Sequence, residues 1–179
     1  MRKMKVFWIM MLVCVINIVP AFGQSDSKKD KIIADSNNAK KEFITADHLM
    51  SSIFEKAYGY VIFPNVGKGG IGVGGAAGNG AVYEGNKVVG FAKLSQLSIG
   101  FQAGGQAYSE IIFFESKAAM QHFKESKFEF AAQVSAVAAK AGASGNAKYT
   151  DGVMVFTIQK GGLMYEASVG GQKFKYENL

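Results

Sequence analysis

Six lysines are the residues of this chain whose type and spacing indicate a binding chemistry. They are Lys28, Lys29, Lys31, Lys40, Lys41 and Lys68. Each lysine near an anionic lipid surface contributes ~1 kcal/mol of attraction. The acidic residues found among them are Asp26, Asp30, Asp35 and Glu42. The lysines therefore predict either a contact with anionic lipid headgroups or a solvated helix face.

A glycine motif at residues 70–75 satisfies the G-x-G-x-x-G pattern of dinucleotide-binding loops. Such a loop must open a helix, because the helix N-terminus holds the pyrophosphate. Here Gly78, Gly80 and a turn signal at 84–87 follow the motif, and no helix can form through them. The chain also lacks a G-x-x-x-x-G-K-[ST] motif, so we expect no nucleotide partner.

Catalytic and metal-binding patterns have little support in the sequence. His48 and His122 lie on separate predicted helices and outside any ligand spacing. No G-x-S-x-G motif occurs, and the acidic residues are scattered singly, as is typical of solvated charges. We therefore expect no enzymatic activity, no cofactor and no metal site.

The first 23 residues have the pattern of a secretory signal peptide. A basic start precedes an apolar run at 7–19, and the small residues Ala21 and Gly23 lie just before the expected cleavage site at Gln24. The run is shorter than the ~20 residues that a membrane-spanning helix needs. The only cysteine, Cys14, lies within it and lacks the small preceding residues of a lipidation site.

Cleavage there would leave 17 Lys against 14 Asp and Glu, with no Arg and no Cys. Without cysteine the chain can form neither a disulfide nor a thiolate metal site. The lack of arginine, the usual reader of guanine and phosphate, argues against a nucleic-acid partner. We expect an exported protein of the periplasm or cell envelope, with a disordered polar segment at 24–31 and a single domain at 32–179.

The segment from Gly70 to Tyr83 is the basis of the predicted fold. The chain contains 22 Gly in 179 residues, and in this segment they alternate so that one face of a strand has almost no side chains. The glycines of this face and of a similar segment at 97–108 are Gly70, Gly72, Gly74, Gly78, Gly80, Gly100 and Gly104. Glycine within a strand marks the close approach of another backbone or a ligand. We expect a helix or an acyl chain to lie against this extended ribbon.

The remaining pattern predicts an α+β fold. An amphipathic helix at 32–57, with a possible restart at Thr45, precedes about eight strands, and a short internal helix begins at Ser116. Residues 128–141 are interpreted as a strand, although their alanine content also fits a helix. Strands and helices do not alternate regularly. We therefore expect a mostly antiparallel, glycine-rich sheet or barrel-like core, packed with the N-terminal helix and the short internal helix.

Several motifs together resemble the SYLF domain family. They are AYGYVIFPNVGKGG at 57–70, GVGG at 72–75, GNG at 78–80, SIGFQAGGQ at 98–106, FEFAA at 128–132 and KGGL at 160–163. The resemblance covers about residues 49–176, which is nearly all of the chain that follows the signal peptide. It is the combination of these motifs that is specific.

The resemblance implies a lipid-binding domain without catalytic residues. Eukaryotic members bind phosphoinositide membranes with an N-terminal amphipathic helix, yeast members bind actin, and bacterial members look like exported or envelope proteins. Neither phosphoinositides nor actin are expected in a bacterial periplasm, so these ligands are not carried over. We therefore expect an exported, non-enzymatic domain that binds lipid or a membrane surface. The alternative is an envelope structural or protein-interaction module without a lipid ligand.

Overall fold

The computed structural model describes residues 22–126, 129, 136–161 and 169–179. Its helices and strands, in chain order, are α1 (Phe22–Ala46), α2 (Met50–Lys56), β1 (Gly59–Glu84), β2 (Lys87–Phe114), α3 (Lys117–Lys124), β3 (Val137–Ala138), β4 (Val153–Gly161) and β5 (Gln172–Asn178). A 3₁₀ helix at Ala143–Asn146 lies between β3 and β4. The predicted α+β class is confirmed.

The sheet is organised around β2. Strand β1 pairs with β2 along most of its length, while β4 pairs with residues 107–114 of β2 and β5 pairs with residues 90–96. These three pairings are antiparallel, and the short strand β3 runs parallel to β4. The described strands form an open sheet in the order β1-β2-β4-β3, with β5 on β2. The sequence predicts either an antiparallel sheet or a barrel-like core, and the structure contains the sheet, which is not closed into a barrel.

Strands β1 and β2 form one long hairpin. The turn predicted at 84–87 is confirmed, since Gly85 and Asn86 have the positive φ angles of 52° and 66° that a tight hairpin turn requires. Pro64 and Asn65, followed by Gly67 and Gly69, also predict a turn at 66–69. This prediction is wrong, because residues 66–69 pair with residues 105–108 of β2. The local signal at Pro64 produces only a register shift, and the Pro64 carbonyl accepts a hydrogen bond of 2.8 Å from Ser109 Oγ.

The glycine face of β1 lies against the beginning of the same strand. A Cβ added at Gly80 would lie 2.5 Å from the carbonyl oxygen of Ile62, and one at Gly78 would lie 3.0 Å from that of Asn65. Heavy atoms do not approach so closely, so a side chain at Gly80 would force the two segments apart. The predicted close approach is confirmed at these two glycines. The segment that approaches these glycines is the first half of β1, whereas the sequence analysis predicts a helix or an acyl chain in this position.

The other predicted glycines lie in the middle of the hairpin. Gly70 pairs with Gly104 and Gly72 pairs with Gly100, so the two glycine-rich segments face each other across the ladder. Gly74 pairs with Ser98. The motif at 70–75 is therefore inside a strand, and β1 continues beyond it to Glu84.

Side chains alternate along the strands and form a core on each face of the sheet. Helices α1 and α2 cover one face, and α3 covers the other. The first core contains Ala39, Phe43, Met50, Phe54, Tyr60, Ile62, Ala81, Tyr83, Ile111, Phe113, Met154 and Phe156. The second includes Val61, Phe63, Val82, Ile112, Phe114, Met120, Phe123, Val155 and Phe174.

The N-terminal helix is longer than predicted. It begins at Phe22, so the expectation of a disordered segment at 24–31 does not match the helix found there. No Gly or Pro occurs between residues 24 and 46, and Lys31 pairs with Asp35 one turn later at 2.9 Å, a spacing that stabilises a helix. The predicted restart is found slightly later, since α1 ends at Ala46 and α2 begins at Met50.

Some predictions lie outside the described residues. Most of the expected signal peptide, half of the strand at 128–141 and most of another of the eight predicted strands, at 163–169, belong to this group. The short helix is confirmed, because Ser116 Oγ accepts a hydrogen bond of 3.3 Å from the backbone N–H of Ala119.

In the part of the chain that the structure describes, every helix is too short or too polar to cross a membrane.

Among the described residues, two acidic side chains, Asp47 and Glu110, are buried, which corrects the expectation that the acids are solvated. One is Asp47, only 2% exposed, at the break between α1 and α2. Its carboxylate accepts hydrogen bonds from the Leu49 N–H at 3.1 Å, and from the N–H and Oγ of Ser144 at 2.8 and 2.7 Å. Burial alone would raise the pKa of Asp47, but these hydrogen bonds outweigh burial and lower it. Asp47 thus ties the helix break to the 3₁₀ helix.

Replacing Asp47 by asparagine is expected to lower the free energy of unfolding at pH 7 by about 2 kcal/mol, because an amide cannot accept all of these bonds. A lowered pKa stabilises the fold above the unfolded value near 3.8, and this contribution is lost as the pH falls through the folded pKa. Urea unfolding measures the effect. The exposed Asp30→Asn serves as control, and equal midpoints for the two variants would contradict the assignment.

Candidate functional site

A cleft of about 430 Å³ lies between the N-terminal half of α1 and the outer face of β1, β2 and β5. We call it the lysine cleft. It is lined by Lys28, Lys29, Lys31, Ile32, Asp35, Pro64, Asn65, Asn79, Phe91, Ala92, Lys93 and Glu177. Cationic groups thus lie at the rim of a pocket that also has apolar walls.

Helix α1 places three of the six predicted lysines here. Lys28, Lys31 and Asp35 follow one another at intervals of three and four residues, which is the spacing of one helix face. Lys29 extends over the sheet, with Nζ 5.4 Å from the centroid of the Phe91 ring. A cation over an aromatic face is favourable, so Phe91 helps to orient this ammonium group.

Positive charge exceeds negative charge in the cleft. Lys31 is paired with Asp35 at 2.9 Å, and Lys93 is paired with Glu177 at 2.7 Å. Among the described residues, neither Lys28 nor Lys29 has an ion-pair partner. The hydrogen bond from Lys93 lowers the pKa of Glu177, and nearby lysine charges lower it further. The carboxylate is therefore ionised at neutral pH, and the cleft still has a net positive charge.

Lys40 lies in a different environment from the first three lysines. Its Nζ donates to the Tyr60 hydroxyl and to Asn86 Oδ1, both at 3.0 Å, and lies 4.5 Å from the centroid of the Phe54 ring. Burial lowers the pKa of Lys40. These contacts hold α1 against the start of β1 and the hairpin turn, so this ammonium group is already used within the fold.

The last two predicted lysines are also apart from the cleft. Lys41 is exposed and lines a shallow groove next to Lys160, which is 3.5 Å from Glu42. Lys68 is on β1, opposite Gln106, and partial burial lowers its pKa. The structure therefore brings Lys28, Lys29 and Lys31 together and places the other three elsewhere.

The sequence does not predict the residues that the sheet contributes to the cleft. Phe91 and Lys93 are on β2 and Glu177 is on β5, more than 40 residues from the end of α1 in the chain. The sequence of β5 alternates Lys173 and Lys175 with Phe174, which predicts a strand with both lysines on one face. This alternation does not show which strand is the neighbour of β5.

Neither histidine is placed in a ligand cluster. His48 and His122 are both exposed, on the break before α2 and on α3. Within the described ranges, no group of three or more His, Cys, Asp or Glu side chains is arranged to hold a metal ion.

The family comparison matches the chain from β2 to β5. A family model described as "Ysc84: Las17-binding protein actin regulator" matches residues 95–178. The chain is also 30% identical over 125 residues to "Beta cell expansion factor A" of Aeromonas veronii, an alignment that covers 68% of this chain and 47% of that protein. The chain thus spans about half the length of this curated relative. These matches show that the chain belongs to the Ysc84, or SYLF, family.

Proposed function

We propose that this protein binds anionic membrane surfaces through the lysine cleft. The observation that carries the proposal is that Lys28 and Lys29 form no ion pair with a described residue, while Lys29 lies above the apolar ring of Phe91 in the same cleft. A lipid is complementary to these two features, because its headgroup is anionic and its acyl chain is apolar. Membership in a family of binding domains supports a binding role over an enzymatic one.

The energetics of the cleft fit a weak and reversible membrane contact. Lysines near an anionic surface contribute ~1 kcal/mol each, so Lys28, Lys29 and Lys31 together contribute about 2 to 3 kcal/mol. Salt screens such exposed charges over ~10 Å at 0.1 M. Binding should therefore weaken strongly as the salt concentration rises.

Export to the periplasm or cell envelope is part of the proposal. It is supported by the signal-peptide pattern of residues 1–23, and it would place the domain beside bacterial membranes. Mass spectrometry of the protein from fractionated cells tests it. We expect a mature chain that begins at Gln24, and an uncleaved chain in the cytoplasm would contradict export.

Vesicle flotation tests the membrane proposal. We expect the purified protein to float with vesicles that contain phosphatidylglycerol, to float far less with pure phosphatidylcholine, and to dissociate between 50 and 500 mM salt. Equal recovery with neutral and anionic vesicles at low salt would contradict the proposal.

A second candidate, an envelope protein-interaction module, is favoured by two exposed apolar side chains. Leu97 is 85% exposed and Leu49 is 51% exposed. Leu49 borders a groove of about 320 Å³ formed with Ile53, Tyr149 and Met154. A pull-down from membrane extract, with and without prior lipid removal, separates the candidates, because a protein partner should persist after the lipid has been removed.

A further inference from the structure

The dipeptide Asn79–Gly80 on β1 joins two residues that can react with each other. It is the only Asn-Gly step in the sequence. At such a step the backbone nitrogen of the glycine can attack the side-chain amide carbon of the asparagine, because no glycine side chain hinders the approach. The Asn79 side chain is exposed on the sheet, whereas Gly80 is buried. The reacting groups are therefore adjacent, and the amide is accessible to water.

The packing of β1 requires a glycine at this step. A Cβ at position 80 would lie 2.5 Å from the Ile62 carbonyl oxygen and 2.8 Å from Cδ1 of Phe63. A side chain there would displace the first half of β1. The same packing that excludes a side chain at position 80 therefore places an unhindered backbone nitrogen directly after an exposed asparagine.

The strand conformation opposes the reaction in the folded protein. The attack closes a five-membered ring, which requires the Asn79 Cβ and the Gly80 nitrogen to be nearly eclipsed about the bond between Cα and the carbonyl carbon. The ψ angle of an antiparallel strand holds these two atoms roughly a quarter turn apart. Asn79 pairs with Lys93 and Gly80 pairs with Ala92, so the rotation would break the pairing with β2. Ring closure therefore requires β1 to open.

We propose that Asn79–Gly80 is a deamidation site that the folded strand protects and that opening of β1 exposes. In the open form the Gly80 nitrogen loses its proton and bonds to Cγ of Asn79. The bond from Cγ to Nδ2 breaks, and Nδ2 takes up a proton and leaves as ammonia. Water then opens the succinimide ring at either carbonyl carbon, which gives aspartate or isoaspartate.

Both products change this part of the sheet. Isoaspartate carries the main chain through its own side chain, which adds a methylene group before Gly80 and shifts this glycine from its contact with Ile62. Either product places a carboxylate opposite Lys93, which pairs in turn with Lys175. Since Asn79 lines the lysine cleft, the reaction also lowers the positive charge of the cleft. Unfolding followed by this reaction is therefore irreversible.

Peptide mass spectrometry measures the protection. The full chain is incubated at pH 7, either folded or unfolded in urea, and the peptide that contains residue 79 is followed for the mass increase that accompanies conversion of an amide to a carboxyl group. We expect the reaction to be at least about 30-fold slower in the folded protein, because slow chemistry follows the population of the open form. The internal control is Asn146, which is exposed and precedes Ala147, and it should react slowly in both states. Equal rates at Asn79 in the two states would overturn the proposal.

Refolding shows whether reaction at this site makes unfolding irreversible. Protein held unfolded for increasing times is returned to native buffer, and the fraction that regains the folded transition is measured. We expect recovery of the wild type to fall in step with the appearance of isoaspartate at residue 79. Asn79→Gln should keep its recovery, because glutamine would have to close a larger ring, while Asn146→Gln should lose recovery like the wild type. The same loss in Asn79→Gln as in the wild type would contradict this consequence of the reaction.

Discussion

Replacing Glu110 by glutamine is expected to stabilise the protein at pH 7 by about 3 kcal/mol. Glu110 is on β2, and its side chain is 0% exposed. Its Oε2 accepts a hydrogen bond of 3.0 Å from Gln172 Nε2, and its Oε1 has no hydrogen-bond partner among the described residues. Burial raises the pKa of Glu110 to about 8, although the bond from Gln172 opposes the shift. The folded protein therefore holds this carboxyl group protonated.

The raised pKa makes stability depend on pH in a defined window. Between the unfolded value of 4.5 and about 8, the folded state retains a proton that the unfolded state has released. This group stabilises the fold fully below pH 4.5, and its contribution falls by about 1.4 kcal/mol per pH unit until pH 8. Glutamine has nearly the same shape and no charge, so the variant should lose this slope.

Urea unfolding at pH 5, 6, 7 and 8 measures the slope. The exposed Glu55→Gln, on α2, is the matched control and should keep the wild-type dependence. Asp47 has a lowered pKa, so its contribution to stability changes mainly below pH 4. It does not affect the slope between pH 5 and pH 8. An unchanged slope in Glu110→Gln would show that the carboxyl group is not buried in neutral form.

Replacing Gly80 by alanine is expected to destabilise the protein by about 3 kcal/mol. The added Cβ would lie 2.5 Å from the Ile62 carbonyl oxygen and 2.8 Å from Cδ1 of Phe63. Both neighbours belong to the packed first half of β1, and overpacking of this kind costs several kcal/mol when backbone must move. Thermal or urea unfolding measures the loss.

Gly67 is the matched control on the same strand. A Cβ there would meet no described atom within 4 Å, so Gly67→Ala should be neutral or slightly stabilising through reduced entropy of the unfolded chain. Similar losses in both variants would indicate a general requirement for glycine in β1. A loss at Gly80 alone would support the close approach seen here.

The glycine pattern was enough to predict an extended ribbon with close packing. Gly78 and Gly80 fulfil that prediction. The sequence does not show that the segment around Ile62 and Asn65 packs against these glycines. The signal at Pro64 favours a turn after this segment, whereas the structure has a continuous strand. Long-range pairing of residues 66–69 with β2 overrode that local signal.

The candidate site was predictable on the helix and not on the sheet. Lys28, Lys29 and Lys31 are neighbours in sequence, so a helix must place them near one another. Lys93 and Lys175 are neighbours only because β5 pairs with residues 90–96 of β2. The burial of Glu110 has the same origin, since its position between β1 and β4 depends on strand order.

The most direct test of the proposed function compares two triple variants of equal charge. One replaces Lys28, Lys29 and Lys31 by glutamine, and the other replaces the exposed Lys117, Lys140 and Lys148, which lie outside the lysine cleft. We expect the first to bind phosphatidylglycerol vesicles about 30-fold more weakly, which corresponds to about 2 kcal/mol, and the second to bind within about threefold of the wild type. Equal loss in both variants, or no loss in the first, would contradict the proposed site.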